Sequence, residues 1–221
     1  MDKYFLVRHF NVLVNDKVMI HDLSFSITKS MCVLGESGTG KSKLLKELQK
    51  VRDYKGVVSF YLGQTSSIKS DLSLVESDSY TKKFLELFLS NKKNLGYKYA
   101  LLSKVLTHPD YFFCEDLHNI LTNYERQIFF QYLKHFNILI FYVTNEVDDT
   151  VYFDYLVVLK NNRVAMEGNT LDILREEKLM KLLGFSLPFY VNMSIQLGYY
   201  GVIRDVCLTK EELGDKLWKK S

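Results

Sequence analysis

The chain has 221 residues, 47% of them hydrophobic and 25% charged, with a net charge of +3 and two prolines, Pro109 and Pro188. That length buries one substantial core, and the composition excludes a disordered or low-complexity chain. Lysines scattered rather than striped leave no nucleic-acid footprint, and the longest apolar run, Ile138 to Val143, is too short to span a bilayer.

In chain order, Tyr4 to Val7, Asn11 to Val14 and Leu23 to Ile27 read as three strands of an antiparallel opening, with a turn at Asn15-Asp16. Met31 to Leu34 is a short apolar strand that runs into a glycine-rich loop. After the loop, Leu44, Leu45 and Leu48 share one helical face. Val57 to Leu62 reads as a further strand, and residues 66–107 as a small helical subdomain.

Tyr111 to Cys114 is a strand ending in Glu115-Asp116, Tyr124 to Phe136 an amphipathic helix, and Ile138 to Val143 a buried strand. Strands alternating with helices predict a parallel α/β sheet. Leu156 to Leu159 and Val164 to Glu167 form a hairpin whose Asn161-Asn162 tolerates positive φ. Two helical segments and a tail follow. The expected division is a main α/β domain over 1–175 and a helical extension over 176–221. Cys32, Cys114 and Cys207 form no C-x-x-C pair, which predicts buried reduced thiols.

Residues Val33 to Ser42 read V-L-G-E-S-G-T-G-K-S. Gly35, Gly40, Lys41 and Ser42 fit G-x-x-x-x-G-K-[ST], with Glu36, Ser37, Gly38 and Thr39 between. Such glycines let backbone N–H groups close round a phosphate chain, the lysine neutralises outer phosphates, and the serine hydroxyl is a ligand for Mg²⁺. Elsewhere the signals are structural. His9, His21, His108, His118 and His135 have no ligand-like spacing, and the aromatic residues follow strand and helix faces.

With its loop spelled G-E-S-G-T-G-K-S, the sequence resembles the ATP-binding cassette (ABC) ATPases. D-L-S-F-S-I looks like the family's strand before the loop, and Gln64 sits where its Q-loop glutamine does. H-P-D-Y-F-F-C-E-D resembles the Walker B strand, I-L-I-F-Y-V-T-N-E the switch strand, and L-V-V-L-K-N-N-R-V-A-M-E-G the paired strands that follow. The tail, G-N-T-L-D-I-L, L-L-G-F-S-L-P-F and L-T-K-E-E-L, is similar to ATPases of energy-coupling factor (ECF) transporters. The resemblance implies a P-loop NTPase fold of ABC type: a mainly parallel sheet with an antiparallel N-terminal part, a reduced helical subdomain and a C-terminal helical extension.

It also implies roles. ATP and Mg²⁺ are the expected cofactors, with Ser42, Gln64 and Glu115 around the metal and Asp116, Asn145 and Gln64 at the reacting phosphate. Three departures matter. Walker B's usual Asp-Glu order is reversed as Glu115-Asp116, which leaves the base one methylene short, so hydrolysis is expected to be slow. Asn145 replaces a histidine and cannot carry positive charge. L-S-N-K-K-N-L, residues 89–95, stands where the paired-glycine signature belongs. In addition, Thr122 replaces the aspartate of the loop after Walker B, Val14 replaces an adenine-stacking aromatic, and only 24 residues separate Gln64 from Leu89.

In the family, each nucleotide is clamped between one subunit's phosphate loop and the other's signature. These departures therefore imply a heterodimer with a more complete ATPase subunit. The implied setting is an importer on the cytoplasmic face of the cell membrane, reached through a transmembrane coupling protein. A non-hydrolysing nucleotide-binding module is the alternative. A small-molecule kinase is a third reading, opposed by the dispersal of Arg126, Arg163, Arg175 and Arg204.

Overall fold

The structure, a computed structural model, describes residues 5–14, 17–50, 57–62 and 78–218. Its first two strands, β1 (Phe5–Val14) and β2 (Lys17–Ile27), pair antiparallel. The expectation of three short strands is corrected here. Register shifts between Val7 and Phe10 and between Phe10 and Val12 put bulges into β1, and a bulge breaks the period-2 pattern that marks a strand in sequence. The expected turn at Asn15-Asp16 lies outside the described residues.

Then come β3 (Met31–Gly35), α1 (Lys41–Lys50), β4 (Val58–Tyr61), α2 (Ser79–Phe88), α3 (Leu95–Val105), β5 (Tyr111–Glu115), α4 (Asn123–His135), β6 (Leu139–Thr144), β7 (Tyr155–Lys160) and β8 (Arg163–Asn169). Among the described residues, these last six strands form one sheet in the order β4-β5-β6-β3-β7-β8. All neighbours are parallel except β7 and β8. The β7–β8 turn uses Asn161 at φ 49° and Asn162 at φ 64°, the pair of left-handed residues that a tight two-residue hairpin needs.

Side-chain alternation explains the layering. Cys32, Leu34, Phe112, Cys114, Ile140, Tyr142, Leu156 and Val158 face a core shared with α2, α3 and α4. Met31, Val33, Tyr111, Phe113, Phe141, Val143, Val157 and Leu159 face the opposite core, closed by Leu44, Leu45 and Leu48 of α1 and by Val12, Ile20 and Leu23 of the antiparallel pair. Strands buried on both faces read as continuous apolar runs, as these do. Cys32, Cys114 and Cys207 are buried free thiols, as their spacing predicted.

The C-terminal part holds four helices among the described residues, not the two expected: α5 (Thr170–Arg175), α6 (Glu177–Leu182), α7 (Phe189–Tyr199) and α8 (Lys210–Trp218). The breaks at Glu176 and over residues 183–188 are short, so the sequence pattern merges the segments on either side, while a longer link, residues 200–209, precedes α8. Met180, Phe185 and Val191 join the core beneath the sheet.

Candidate functional site

From β3, at the sheet's centre, the chain crosses β6 and β5 to reach β4 at the edge. It then returns through β5 and β6 before continuing to β7 on the far side of β3. In open α/β sheets, ligands bind at the C-terminal ends of strands where this order reverses. The C-terminal ends here belong to Gly35, Glu115 and Thr144. Register aligns them, with Leu34 opposite Thr144 and Glu115 opposite Val143.

Gly35 is the last, buried residue of β3, and the loop Glu36 to Gly40 turns into α1. Gly38 and Gly40 both have φ 86°, a conformation that an L side chain makes costly. Thr39 is buried and ties the loop to itself, its hydroxyl donating to the Glu36 carbonyl at 2.8 Å. Lys41 is 7% exposed. Its ammonium donates to the carbonyls of Gly35 at 2.7 Å and Glu36 at 2.8 Å. Burial pulls Lys41 below its ordinary range, against the opposing pull of Asp116 and Glu115. Those carboxylates thus face the loop across the site.

Ser42, at the second position of α1, is exposed and lines a cleft of about 480 Å³ with Glu115, Asp116, Tyr61, Asn94, Tyr97, Asn119 and Ile120. Glu115 Oε2 and Asp116 Oδ1 are buried without hydrogen-bond partners. A buried carboxylate oxygen without a partner is costly unless a cation or donor meets it there. Together with the Ser42 hydroxyl they form the all-oxygen donor set that suits Mg²⁺. The residues present therefore fit a magnesium–phosphate ligand.

Of the other expected site residues, Asn145 is exposed one position past β6 and does not line the cleft. Glu36 and Ser37 are exposed. Val14 closes β1 opposite Lys17. Gln64 lies outside the described residues. Thr122 caps α4: its hydroxyl accepts the Glu125 N–H at 3.3 Å, while Glu125 Oε2 accepts the Thr122 N–H at 2.8 Å.

The signature-position segment is the link between α2 and α3. Lys93 N–H there is already taken by Asn91 Oδ1 at 3.0 Å, and Asn94, at φ 58°, donates to the Ile120 carbonyl at 3.0 Å.

Sequence reading missed several contributors. Tyr61 ends β4 against the cleft, and burial pushes its phenol up to about 12. A buried network also joins Arg126 to Asp149 at 2.6 Å and Asp149 to Tyr142 at 2.7 Å. Burial dominates at Asp149 and raises its carboxyl above the usual range, against the pull of Arg126. Arg126 had looked like one of several dispersed arginines. Its partner lies 23 positions away, beyond the reach of any local pattern.

No protein-family model matches the chain. The EcfA1 energy-coupling factor transporter ATP-binding protein of Geobacillus kaustophilus is 25% identical over 124 residues, covering 54% of this chain and 44% of that protein. The EcfA protein of Malacoplasma penetrans is 20% identical over 260 aligned positions, covering 94% and 90%. The match thus spans less than half of the Geobacillus relative and nearly all of the Malacoplasma one.

Among solved structures, cbiO1 from Clostridium perfringens, part of the ABC transporter complex cbiONQ, superposes with TM-score 0.59 at 14% identity over 89% of this chain and 96% of its own. An ATP-binding subunit of an ABC transporter superposes with TM-score 0.60 at 15% identity over 83% and 95%. The fold is that of the ABC ATPases, and on fold and sequence together the chain is ABC- and ECF-ATPase-like.

Proposed function

We propose that this chain is an ATP-binding subunit of an ABC-type importer of the energy-coupling factor kind. It binds MgATP in the loop Gly35 to Ser42 and couples ATP-driven dimer closure to transport. The observation that carries this reading is the shared cleft, lined by the loop's serine together with Glu115 and Asp116, each of which has a buried, unpartnered carboxylate oxygen. Lys41 would neutralise the outer phosphates, and Ser42 with Glu115 would hold the metal, which offsets phosphate charge when bound. Gln64 completes the assignment as sensor of metal and γ-phosphate, and Asn145 as a neutral hydrogen-bonding group near it.

Hydrolysis is weak or partner-dependent in this reading. Asp116 is the candidate base, but its side chain is short and its backbone is left-handed, at φ 43° and ψ 44°. The signature-position link spends its Lys93 N–H internally, which supports pairing with a second, more complete ATPase subunit. Among the described residues no helix is long and apolar enough to cross a membrane. In this reading, attachment to the inner face of the cell membrane runs through a transmembrane coupling protein.

The test is ATP binding and turnover by the purified chain, alone and with a copurifying ATPase, beside Lys41→Ala. Binding lost in Lys41→Ala, with turnover appearing only in the mixture, is the expected result. Turnover by the isolated chain at the rate of a complete cassette would overturn the weak-site assignment. Absence of nucleotide binding would overturn the reading as a whole.

A further inference from the structure

The hydroxyl of Tyr142 makes two hydrogen bonds of opposite sense inside the core. It donates to Asp149 Oδ2 at 2.7 Å and accepts the Leu117 N–H at 3.0 Å. Tyr142, Asp149 and Leu117 are each 0% exposed. The other oxygen of Asp149 accepts from Arg126 Nε at 2.6 Å. The remaining guanidinium nitrogens go to the Leu121 carbonyl and the Asn123 side chain, both at 2.9 Å. The network thus runs Arg126, Asp149, Tyr142, Leu117, and it ends on the peptide N–H directly after Asp116.

That end point matters because Asp116 is left-handed, at φ 43° and ψ 44°. For a residue with a Cβ this conformation is uncommon, less so for aspartate than for most, and neighbouring contacts help to hold it. Two contacts from β6 do so. Asp116 N–H donates to the Val143 carbonyl at 3.0 Å, and the next N–H, that of Leu117, is held by Tyr142. Asp116 Oδ1 makes no hydrogen bond that would fix the side chain from its own end. The direction of its carboxylate toward the Ser42 cleft therefore rests on the main chain, which the Val143 carbonyl, the Asn119 N–H and the Tyr142 hydroxyl hold together.

We infer that Tyr142 is a positioning residue for the Asp116 carboxylate, acting through the Leu117 N–H, at the proposed magnesium–nucleotide site. The inference rests on that proposed function. Residues that orient metal-site groups from behind typically change metal affinity by about 10- to 100-fold. Tyr142→Phe is the sharp probe because it keeps the ring, which stacks on Phe153 at 5.4 Å and meets Phe130 edge-on at 5.4 Å, and removes only the hydroxyl.

The experiment is calorimetric titration of ATP into the full chain, once with Mg²⁺ and once with EDTA, with the melting temperature recorded alongside. In Tyr142→Phe the affinity in EDTA should match wild type, because the phosphate loop is untouched. The gain in affinity on adding Mg²⁺ should fall about 10-fold. In an Asp116→Asn background, Tyr142→Phe should cause no further fall. Should Tyr142→Phe not fold, Tyr142→Phe combined with Arg126→Met and Asp149→Leu, which leaves no buried charge unpaired, carries the same test.

A lower melting temperature with an unchanged magnesium gain would mean a purely structural tyrosine and overturn the inference. So would an effect that persists undiminished in the Asp116→Asn background. Wild-type protein that binds no ATP under either condition would overturn the nucleotide reading itself and this inference with it. Intact binding with an unchanged magnesium gain overturns only the role of Tyr142.

Discussion

Lys98 and Glu125 form an ion pair closed off from water, with side-chain exposures of 0% and 4%. The ammonium also donates to the carbonyls of Phe88 at 3.3 Å and Asn91 at 2.6 Å, and lies 5.7 Å over the Phe88 ring. Glu125 in turn holds the Thr122 N–H. One pair thus joins the end of α2, the link into α3 and the start of α4. Removing one partner of a buried pair leaves an uncompensated charge and costs about 3–5 kcal/mol, whereas replacing both with apolar groups costs far less. Lys98→Met should therefore lower the urea-unfolding free energy by about that amount. Lys98→Met with Glu125→Leu should recover part of it, held short of full recovery by the Phe88, Asn91 and Thr122 groups left without partners.

The same pair makes stability depend on acid. Burial pushes the Glu125 carboxyl up, but hydrogen bonds from Lys98 and Thr122 outweigh it and hold the group below its ordinary range. A carboxyl lower in the folded than in the unfolded chain contributes stability that is complete above the ordinary carboxylate pKa. That contribution is lost as pH falls through the folded value. Asp78, held low by its bonds from Thr81, adds to the same limb. Denaturant midpoints measured from neutral pH downward should fall less steeply in Glu125→Gln than in wild type, although Glu125→Gln starts from a lower value.

The contrast between these pairs and the phosphate loop shows what a sequence makes legible. Gly35, Gly40, Lys41 and Ser42 are contiguous in chain and space, so the strand, loop and helix around them can be read directly. Asn161-Asn162 announces its turn for the same local reason. The pairing of Lys98 with Glu125 spans 27 positions and that of Arg126 with Asp149 spans 23. A basic residue inside a helix carries no mark of its distant partner. The β1 bulges and the short breaks between the C-terminal helices misled for a related cause, since both interrupt a periodicity without ending the element or the layer. Asn145 was placed by likeness to a switch residue. The structure sets it at the same sheet end as Glu115 but outside the cleft wall, a matter of side-chain direction that strand position alone does not fix.

Thr122, which by resemblance stands in place of an aspartate, works at the helix end. With Glu125 it forms a reciprocal cap on α4, satisfying two N–H groups that would otherwise lack partners. Thr122→Ala should cost about 0.5–2 kcal/mol in equilibrium unfolding. Thr122→Asp should hold stability near wild type, because aspartate caps as well as threonine and suits the positive end of the helix. A loss in Thr122→Asp as large as in Thr122→Ala would show that the threonine methyl, not the cap, carries the effect.

The phosphate loop is also tied to the end of β7 at a crowded point beside the C-terminus of α6. Glu36 Oε1 meets Lys160 Nζ at 2.6 Å, and a Cβ at Gly184 would stand 2.9 Å from that oxygen and 3.4 Å from that nitrogen. Gly184, at φ 90°, ends α6 by a paired hydrogen-bond closure, its N–H reaching Lys181 and the Phe185 N–H reaching Met180, for which glycine is the natural residue. Gly184→Ala should therefore cost about 1–2 kcal/mol from the left-handed backbone alone, with a further loss from displacing Glu36. Glu36→Ala by itself should cost less than about 1 kcal/mol, since the pair is partly open to water. In the double variant the displaced oxygen is gone, so the two losses should sum to more than the double variant shows. Additive losses in the unfolding cycle would mean that the alanine methyl finds room without moving Glu36, and that the loop and the C-terminal helices are not coupled at this point.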